Sequence, residues 1–347
     1  MIFHHLTIKQ VTKVTSKAVE ILFEIPQSLK EDFTHGAGQY LTLQATIEGK
    51  EVRRAYSLSS APHEKNPKVV IKAVEKGVFS NYAMTLRAGD LLQVAAPEGL
   101  FIHKTSDAAQ NYLMIAAGSG ITPITAIIND ILTQEPNSKI ALIYGNQSVA
   151  QTIYYEPFND LKDQYGDRFF LKYCFSREER DEALFGRVSK SNLNFFLKQV
   201  VGDLAFAKAY LCGPEEMIAM ATENLIEKDL LAKENIKFEL FSTKENDIEI
   251  TEDSHLTELV VILDDETHTL TVKRSDNLLE VMIKNDIDAP YSCQGGICSS
   301  CICQIEEGTA QMAKNAILTD KEVASGLSLA CQAYATSAKV VLNFDEV

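Results

Sequence analysis

The sequence predicts a multidomain chain of α/β and β class. An antiparallel β-barrel comes first, a parallel α/β sheet second, and a small β-rich module last. Three observations carry this reading. Short alternating strands bounded by Gly, Pro, Asn or Asp fill residues 1–104. Over residues 105–241, uniformly apolar strands alternate with helical patterns, the mark of a parallel sheet covered on both faces. Beyond residue 241 the composition breaks. Residues 242–347 carry 7 Lys+Arg against 19 Asp+Glu, the first 241 carry 26 against 29, and five of the seven cysteines fall in the later part.

The 347 residues give room for two or three domains. Hydrophobic residues at 46% and charged residues at 23% are an ordinary globular balance, which excludes a disordered scaffold. A net charge of −15 argues against nucleic-acid binding, because phosphate neutralisation needs a basic surface. The opening MIFHHLTIKQ has no basic stretch followed by an apolar one, so no secretory signal is expected. The most apolar stretch, 112–132, is interrupted by two glycines, a proline and Asn129-Asp130, so no membrane span is expected. A cytoplasmic location, where thiols stay reduced, is the expectation that follows.

In the first domain strands are read at VEILFEIP, YLTLQATI, RAYSLSS, KVVIKAV and LLQVAAP, with one helix over 80–87. In the second, strands YLMIAA, KIALIYG, RFFLKYCF, AKAYLCG and IKFELF alternate with helices over 122–133, 157–165, 190–199 and 214–231. Residues 242–257 are acidic and without period, and read as a linker. Residues 258–347 open with a hairpin, LVVIL and HTLTV about Asp264-Asp265. A helix over 277–284, a cysteine-rich loop and a final strand KVVLNF follow.

Cys293, Cys298 and Cys301 stand as C-x4-C-x2-C, with Cys331 after 29 intervening residues. Three close thiolates and one distant one form the plant-type [2Fe–2S] spacing, and the glycines and serines between them let backbone wrap a cluster closely. Zinc, which favours paired short spacings, and unligated core thiols are the alternatives. Cys303 and Cys174 lie in strand runs and read as packed thiols.

In the first domain Arg54-Ala55-Tyr56-Ser57 offers a cation, a ring and a hydroxyl. A second stretch runs from Lys72 through Val74 to Gly77-Val78-Phe79-Ser80-Asn81, a turn opening a helix whose free amides suit a pyrophosphate. In the second domain Gly118-Ser119-Gly120-Ile121-Thr122-Pro123 and Cys212-Gly213-Pro214 each join a strand to a helix. In open α/β sheets ligands bind at such strand ends. Each motif alone is weak, and turn glycines are its bland explanation. Ser176-Arg177 and Arg187 follow the third strand of this domain and offer a guanidinium fork for a phosphate dianion. The bland reading of Arg177 is a solvated loop, SREERDE. His4, His5 and His103 read as surface or strand residues, Met217 and Met220 as core-facing, and the pairs Asp264-Asp265 and Glu306-Glu307 as turn residues.

Taken in order, these motifs resemble the ferredoxin–NADP reductase superfamily across residues 1–241. Residues 258–347, with Asp288-Ala-Pro-Tyr-Ser-Cys-Gln-Gly-Gly-Ile-Cys, resemble a plant-type ferredoxin domain of β-grasp fold. The resemblance implies that Arg54 meets flavin phosphate, Tyr56 packs on the isoalloxazine and Ser57 lies near flavin N5. Residues 77–80 would complete a phosphate site, and the stretch 77–81 favours FAD over FMN. Gly118, Gly120, Pro123, Gly213 and Pro214 would take part in cofactor binding, with Thr122 near the flavin–nicotinamide junction and Cys212 beside the nicotinamide. Ser176, Arg177 and Arg187 would favour NADPH over NADH, although Gln147 stands where relatives often carry an arginine. Ser57, Tyr56 and Cys212 are the expected catalytic residues, and Cys293, Cys298, Cys301 and Cys331 the cluster ligands.

The module order resembles the reductase components of multicomponent oxygenases, most of all the reductase subunits of phenylacetyl-CoA oxygenases (epoxidases). It implies electron flow from NAD(P)H through FAD and the [2Fe–2S] cluster to a terminal oxygenase, in phenylacetate catabolism. That partner, or another redox protein, would dock at the acidic ferredoxin domain. A general NAD(P)H reductase serving a hybrid-cluster or haem protein, and a redox sensor or assembly subunit without turnover, are the competing readings.

Overall fold

A computed structural model describes residues 1–241 and 255–347 and divides the chain into two compact units, one spanning Phe3–Phe241 and the other Ser242–Val347 with Met1–Ile2. In the first unit a six-stranded antiparallel sheet runs in the order β4-β3-β6-β1-β2-β5. Its strands are β1 (Phe3–Thr15), β2 (Ala18–Glu24), β3 (Tyr40–Ile47), β4 (Lys50–Ser57), β5 (Lys68–Lys72) and β6 (Leu91–Ala95). An antiparallel bridge between Leu58 and Val69 joins the two edges, so the sheet closes into the expected barrel around Leu6, Ile21, Phe23, Leu43, Ile71 and Val94.

No strand was expected before residue 19, yet β1 is the longest strand of the barrel and pairs with both β2 and β6. The reason lies in its bulges. Register shifts between Ile8 and Gln10, and between Lys13 and Thr15, break the alternation of apolar residues that would have marked it. The barrel helix α1 (Val78–Ala83) starts two residues earlier than expected, directly after Gly77.

The second sheet is parallel throughout, in the order β10-β9-β8-β7-β11-β12. It contains β7 (Asn111–Ala117), β8 (Lys139–Asn146), β9 (Phe169–Phe175), β10 (Leu184–Phe185), β11 (Lys208–Gly213) and β12 (Ile236–Leu240). Helices α2 (Ile121–Gln134), α3 (Tyr155–Tyr165), α4 (Lys190–Phe195) and α5 (Glu215–Glu227) connect them. The helix expected over 190–199 changes after Phe195 to a π-helical stretch, Phe196–Val201. The helix expected over 214–231 ends at Glu227. Strand order reverses about β7, with β8 on one side and β11 on the other, so the loops after β7 and β11 sit at the switch point.

Of the residues expected as linker, 242–254 lie outside the described residues, and β13 (Leu256–Leu263) already includes the last two. With β14 (Glu266–Lys273) it forms the expected hairpin. Asp264 (φ 53°) and Asp265 (φ 62°) form its two-residue turn, left-handed at both positions as a type I′ turn requires. After α6 (Leu278–Lys284) come β15 (Ile302–Glu307), β16 (Ala310–Met312), α7 (Asp320–Ala324), β17 (Leu327–Leu329), β18 (Ala333–Ala335) and β19 (Lys339–Asn343). The mixed sheet runs β14-β13-β19-β15-β17 with α6 packed on it, and β16 pairs with β18. Glu306 and Glu307 are not turn residues. They end β15, where Asn343 and Lys339 bond them at 2.7 Å each.

His103 also departs from expectation. It is 4% exposed, with Nδ1 2.9 Å from the Tyr210 hydroxyl and Nε2 2.9 Å from Glu135 Oε1. These partners stand 107 and 32 residues away, beyond what local pattern reports. Met220 is only half-buried, unlike Met217.

Candidate functional site

The barrel presents its site at the end of β4 and the turn before α1. Arg54 and Tyr56 stand two residues apart on β4 and share a face of the strand. Both are half-buried, and the Tyr56 ring lies 5.6 Å from that of Phe79 in α1. Burial raises the Tyr56 phenol, against a smaller pull from Arg54, so it stays neutral. A Cβ on Gly77 would stand 2.4 Å from Ser80 Oγ, so a larger residue there would push Ser80 out of the turn. Ser80 Oγ accepts from Val74 N at 3.2 Å, and Asn81 Nδ2 donates to Val74 O and Gly77 O at 3.0 and 2.6 Å. These two side chains thus close the turn. Val74 and Val78, 57% and 51% exposed, flank it as apolar surface that a planar cofactor would cover.

The two switch-point loops of the parallel sheet abut. A Cβ on Gly120 would meet Cys212 O at 2.3 Å and Gly213 N at 2.8 Å. Glycine there lets the GSG loop lie on the CGP loop, backbone to backbone. Tyr144 at the end of β8 donates its hydroxyl to Gly118 O at 3.0 Å, and Thr122 Oγ1 donates to Ser119 O at 3.0 Å. Pro123 lies in the first turn of α2, and Pro214 immediately precedes α5. Lys72 at the end of β5 brings its Nζ to 3.9 Å from where a Cβ on Gly118 would stand. Its pKa is lowered by burial and then by Lys17.

Ser57 and Cys212 meet at Glu239, a residue that sequence reading missed. Ser57 Oγ donates to Glu239 Oε2 at 2.9 Å across the barrel and the parallel sheet. Cys212 faces Glu239 in register across β11 and β12. Burial pushes the Glu239 carboxyl up to about 8, with the Ser57 bond pulling the other way. Burial and then Glu239 hold the Cys212 thiol well above its usual range, so it is protonated and not a thiolate nucleophile. In the sequence Glu239 is one acid within IKFELF, read as a strand of the parallel sheet, and an acid near the end of such a strand is the signal that could have found it.

Ser176 and Arg177 continue past β9 along β8, with Ser176 N on Asn146 O at 3.0 Å and Arg177 N on Gln147 O at 2.9 Å. Arg177 and Arg187 are exposed. In SREERDE, Glu178 accepts from Val149 N at 2.9 Å and from Arg180 at 2.7 Å, so the ordered charges of that loop are its neighbours.

In the second unit all four expected cysteines come together. Cys293 is in contact with Cys298 and Cys331, and Cys331 with Cys293 and Cys301. Cys298, Cys301 and Cys331 are buried, and Cys293 is half-buried. Gln294 (φ 53°) and Gly296 (φ 70°) are left-handed, which turns the amides of Gly295 and Ile297 toward Cys293, with Gly295 N at 3.3 Å from the sulfur. Such amides suit an anionic cluster. Cys303 is fully buried on β15 with its thiol raised by burial, and Cys174 on β9 is pushed up to about 12 the same way. Both behave as packed thiols.

Comparison with known proteins follows the same division. Residues 5–103 match the oxidoreductase FAD-binding domain family, 114–223 the oxidoreductase NAD-binding domain family, and 261–336 the 2Fe-2S iron-sulfur cluster binding domain family. The chain is 35% identical over 349 residues to one of the subunits of the 1,2-phenylacetyl-CoA epoxidase of Escherichia coli, covering 99% of this chain and 98% of that one. It is 30% identical over 356 residues to the 3-ketosteroid-9-alpha-monooxygenase, ferredoxin reductase component, of Mycobacterium tuberculosis, covering 98% and 96%. Phthalate dioxygenase reductase shares the fold, with a TM-score of 0.62 at 20% identity over 99% of this chain and 98% of that one. No helix among the described residues is long and apolar enough to cross a membrane. The chain therefore belongs to the ferredoxin–NADP reductase superfamily with a C-terminal plant-type ferredoxin domain, and is an FAD-, NAD- and [2Fe–2S]-binding oxidoreductase of the oxygenase-reductase kind.

Proposed function

We propose that this chain takes electrons from NAD(P)H and passes them singly to a terminal oxygenase, of which a phenylacetyl-CoA oxygenase is the favoured kind. The observation that carries the reading is the meeting of Ser57, Cys212 and Glu239 where the barrel faces the switch-point loops. When bound, the flavin supplies acceptance of a hydride and release of electrons one at a time, and the cluster supplies one-electron exchange.

The chain's residues do the rest. Arg54 and the 77–81 turn hold flavin phosphate, the closed turn and the exposed valines fitting that role. Tyr56 packs on the isoalloxazine, and neutral Ser57 and Glu239 stand ready to hold or move a proton at flavin N5. The abutting loops at Gly118, Gly120, Cys212 and Gly213 seat the nicotinamide, with Thr122 at its junction with the flavin and Pro123 and Pro214 fixing the helix starts. Exposed Arg177 and Arg187, with Ser176, favour the 2′-phosphate of NADPH over NADH. Cys293, Cys298, Cys301 and Cys331 hold the cluster. The acidic surface around it suits a basic patch on the acceptor, with rates that fall as salt rises. Cluster thiols must stay reduced until loaded, which supports a cytoplasmic location.

The test is anaerobic stopped-flow mixing of reconstituted protein with NADPH and with NADH. Rapid flavin bleaching followed by the EPR signal of a reduced [2Fe–2S] cluster is expected, with NADPH faster. A flavin that stays oxidised with both nucleotides overturns the reading. Turnover with a purified di-iron oxygenase component, compared with a haem acceptor, decides the partner.

A further inference from the structure

The cluster ligands come from two separate pieces of chain, so something must fix one against the other. Backbone pairing does part of this. Ala330 N donates to Cys301 O at 3.0 Å, Ala316 N to Gly296 O at 3.2 Å, and Ala313 N to Gln332 O at 2.8 Å. Asn277, the N-cap of α6, also donates to Cys331 O at 2.9 Å. The Gln332 side chain spans both pieces directly. Gln332 Nε2 donates to Gln294 O in the three-cysteine loop at 3.0 Å. It lies 2.9 Å from Cys331 O and 3.7 Å from Cys331 Sγ. Its stem rests on the loop, with Cγ 2.9 Å from where a Cβ on Gly296 would stand.

The amide has two hydrogens. One goes to Gln294 O. The other is shared between Cys331 O and Cys331 Sγ, and an anionic sulfur is the stronger acceptor. Among the backbone donors of the loop, Gly295 N and Ile297 N serve Cys293 and Cys293 N serves Cys298.

We propose that Gln332 is a positioning residue for the cluster, tying the three-cysteine loop to the Cys331 turn and directing a donor at Cys331 Sγ. Reduction adds negative charge, which a donor on a ligand sulfur stabilises, so Gln332 holds the cluster's potential less negative than it would otherwise be. The proposal rests on the reading of these four cysteines as the ligands.

The test uses full-length protein with Gln332→Met, which keeps chain length and removes the donor. Wild type is characterised first. If it holds zinc, or no cluster, the ligand reading itself has failed. Given a normal wild-type cluster, Q332M is expected to load iron and sulfide fully. Its midpoint potential should move negative, and several-fold less cluster should be reduced at equilibrium with NADPH. Flavin bleaching by NADPH, which belongs to the other unit, should not change. An unmoved potential in loaded Q332M overturns the proposal. If Q332M fails to load, pulsed EPR on the reduced Gln294→Ala protein, labelled with 15N in glutamine side chains, takes its place. A nitrogen coupling supports the proposal, and its absence overturns it.

Discussion

Two glutamates of the α/β domain meet opposite fates. Glu135, which follows α2, is 2% exposed and accepts hydrogen bonds from Ser106 N, Tyr112 Oη, Ser138 Oγ and His103 Nε2. Glu239 accepts from Ser57 Oγ, the single side-chain donor to it among the described residues. Burial pushes both carboxyls up. At Glu135 the donors outweigh burial and hold its pKa below the ordinary value, whereas at Glu239 burial prevails and the pKa rises to about 8. Burial also lowers the pKa of His103, so the neutral ring donates through Nε2 to Glu135 and accepts the Tyr210 hydroxyl at Nδ1, a tautomer assigned from its partners. The difference teaches that the balance of donors against desolvation separates a carboxylate that holds structure from a carboxyl that can carry a proton near neutrality.

The sharpest way to break this comparison is to remove Glu135. Glu135→Leu leaves a backbone amide, two hydroxyls and a histidine facing an apolar group in a dry core. Unfolding stability should fall by about 3–5 kcal/mol, measured by denaturant or thermal unfolding. A loss below about 1 kcal/mol would show that water replaces the carboxylate. The pH signs are opposite for the two residues. The pKa of Glu135 is depressed by folding, so its contribution is full above the ordinary carboxylate range and is lost as pH falls through its lower native value. The pKa of Glu239 is raised by folding, so its contribution is full below the ordinary range and is lost as pH rises to about 8.

Glu239 should matter to rate far more than to stability. Ser57→Ala should slow flavin bleaching by NADPH about 100-fold, the low end for loss of a positioned proton-transfer group. Stability should change by under about 1 kcal/mol, the scale of one net hydrogen bond. In wild type the bleaching rate should fall as pH rises through about 8, where Glu239 ionises. Glu239→Gln should abolish that limb while keeping the fold. A limb that persists in E239Q assigns the titration to another group.

Much of this was legible in the sequence, for reasons that particular residues show. The four cysteines are readable because their C-x4-C-x2-C spacing with a distant fourth is a fixed pattern, and the structure brings all four together. The glycines at 118 and 120 are readable because a left-handed backbone at one and close backbone contact at the other disfavour a side chain. β1 was hidden because its bulges destroy period-2 alternation. Glu135, His103 and Glu239 were hidden for a different reason. Each is defined by donors that other strands and loops supply, from Ser57 at 182 residues' distance to Tyr210 at 107. Sequence reading sees a carboxylate or an imidazole, but not the number of hydrogens pointed at it.

Tyr144 tests the middle ground, with the smallest expected effect. Its ring is fully buried like the Glu135 network, yet its hydroxyl donates to Gly118 O in the loop after β7. Gly118 is left-handed (φ 57°), so the carbonyl it presents is set by an uncommon backbone conformation that the tyrosine holds in place. Burial keeps the phenol protonated, so no pH dependence arises from it below pH 10. Tyr144→Phe removes the bond to Gly118 O, together with the longer 3.4 Å contact to Ile153 O, at a cost of about 0.5–1.5 kcal/mol, and leaves the ring packing intact. If that bond fixes the loop for binding alone, KM for the nucleotide should rise by roughly 2- to 10-fold with kcat within about 2-fold, since uniform binding is what is lost. A fall in kcat at constant KM would instead place the hydroxyl among the groups that act on the transition state, on the Glu239 side of the comparison rather than the Glu135 side.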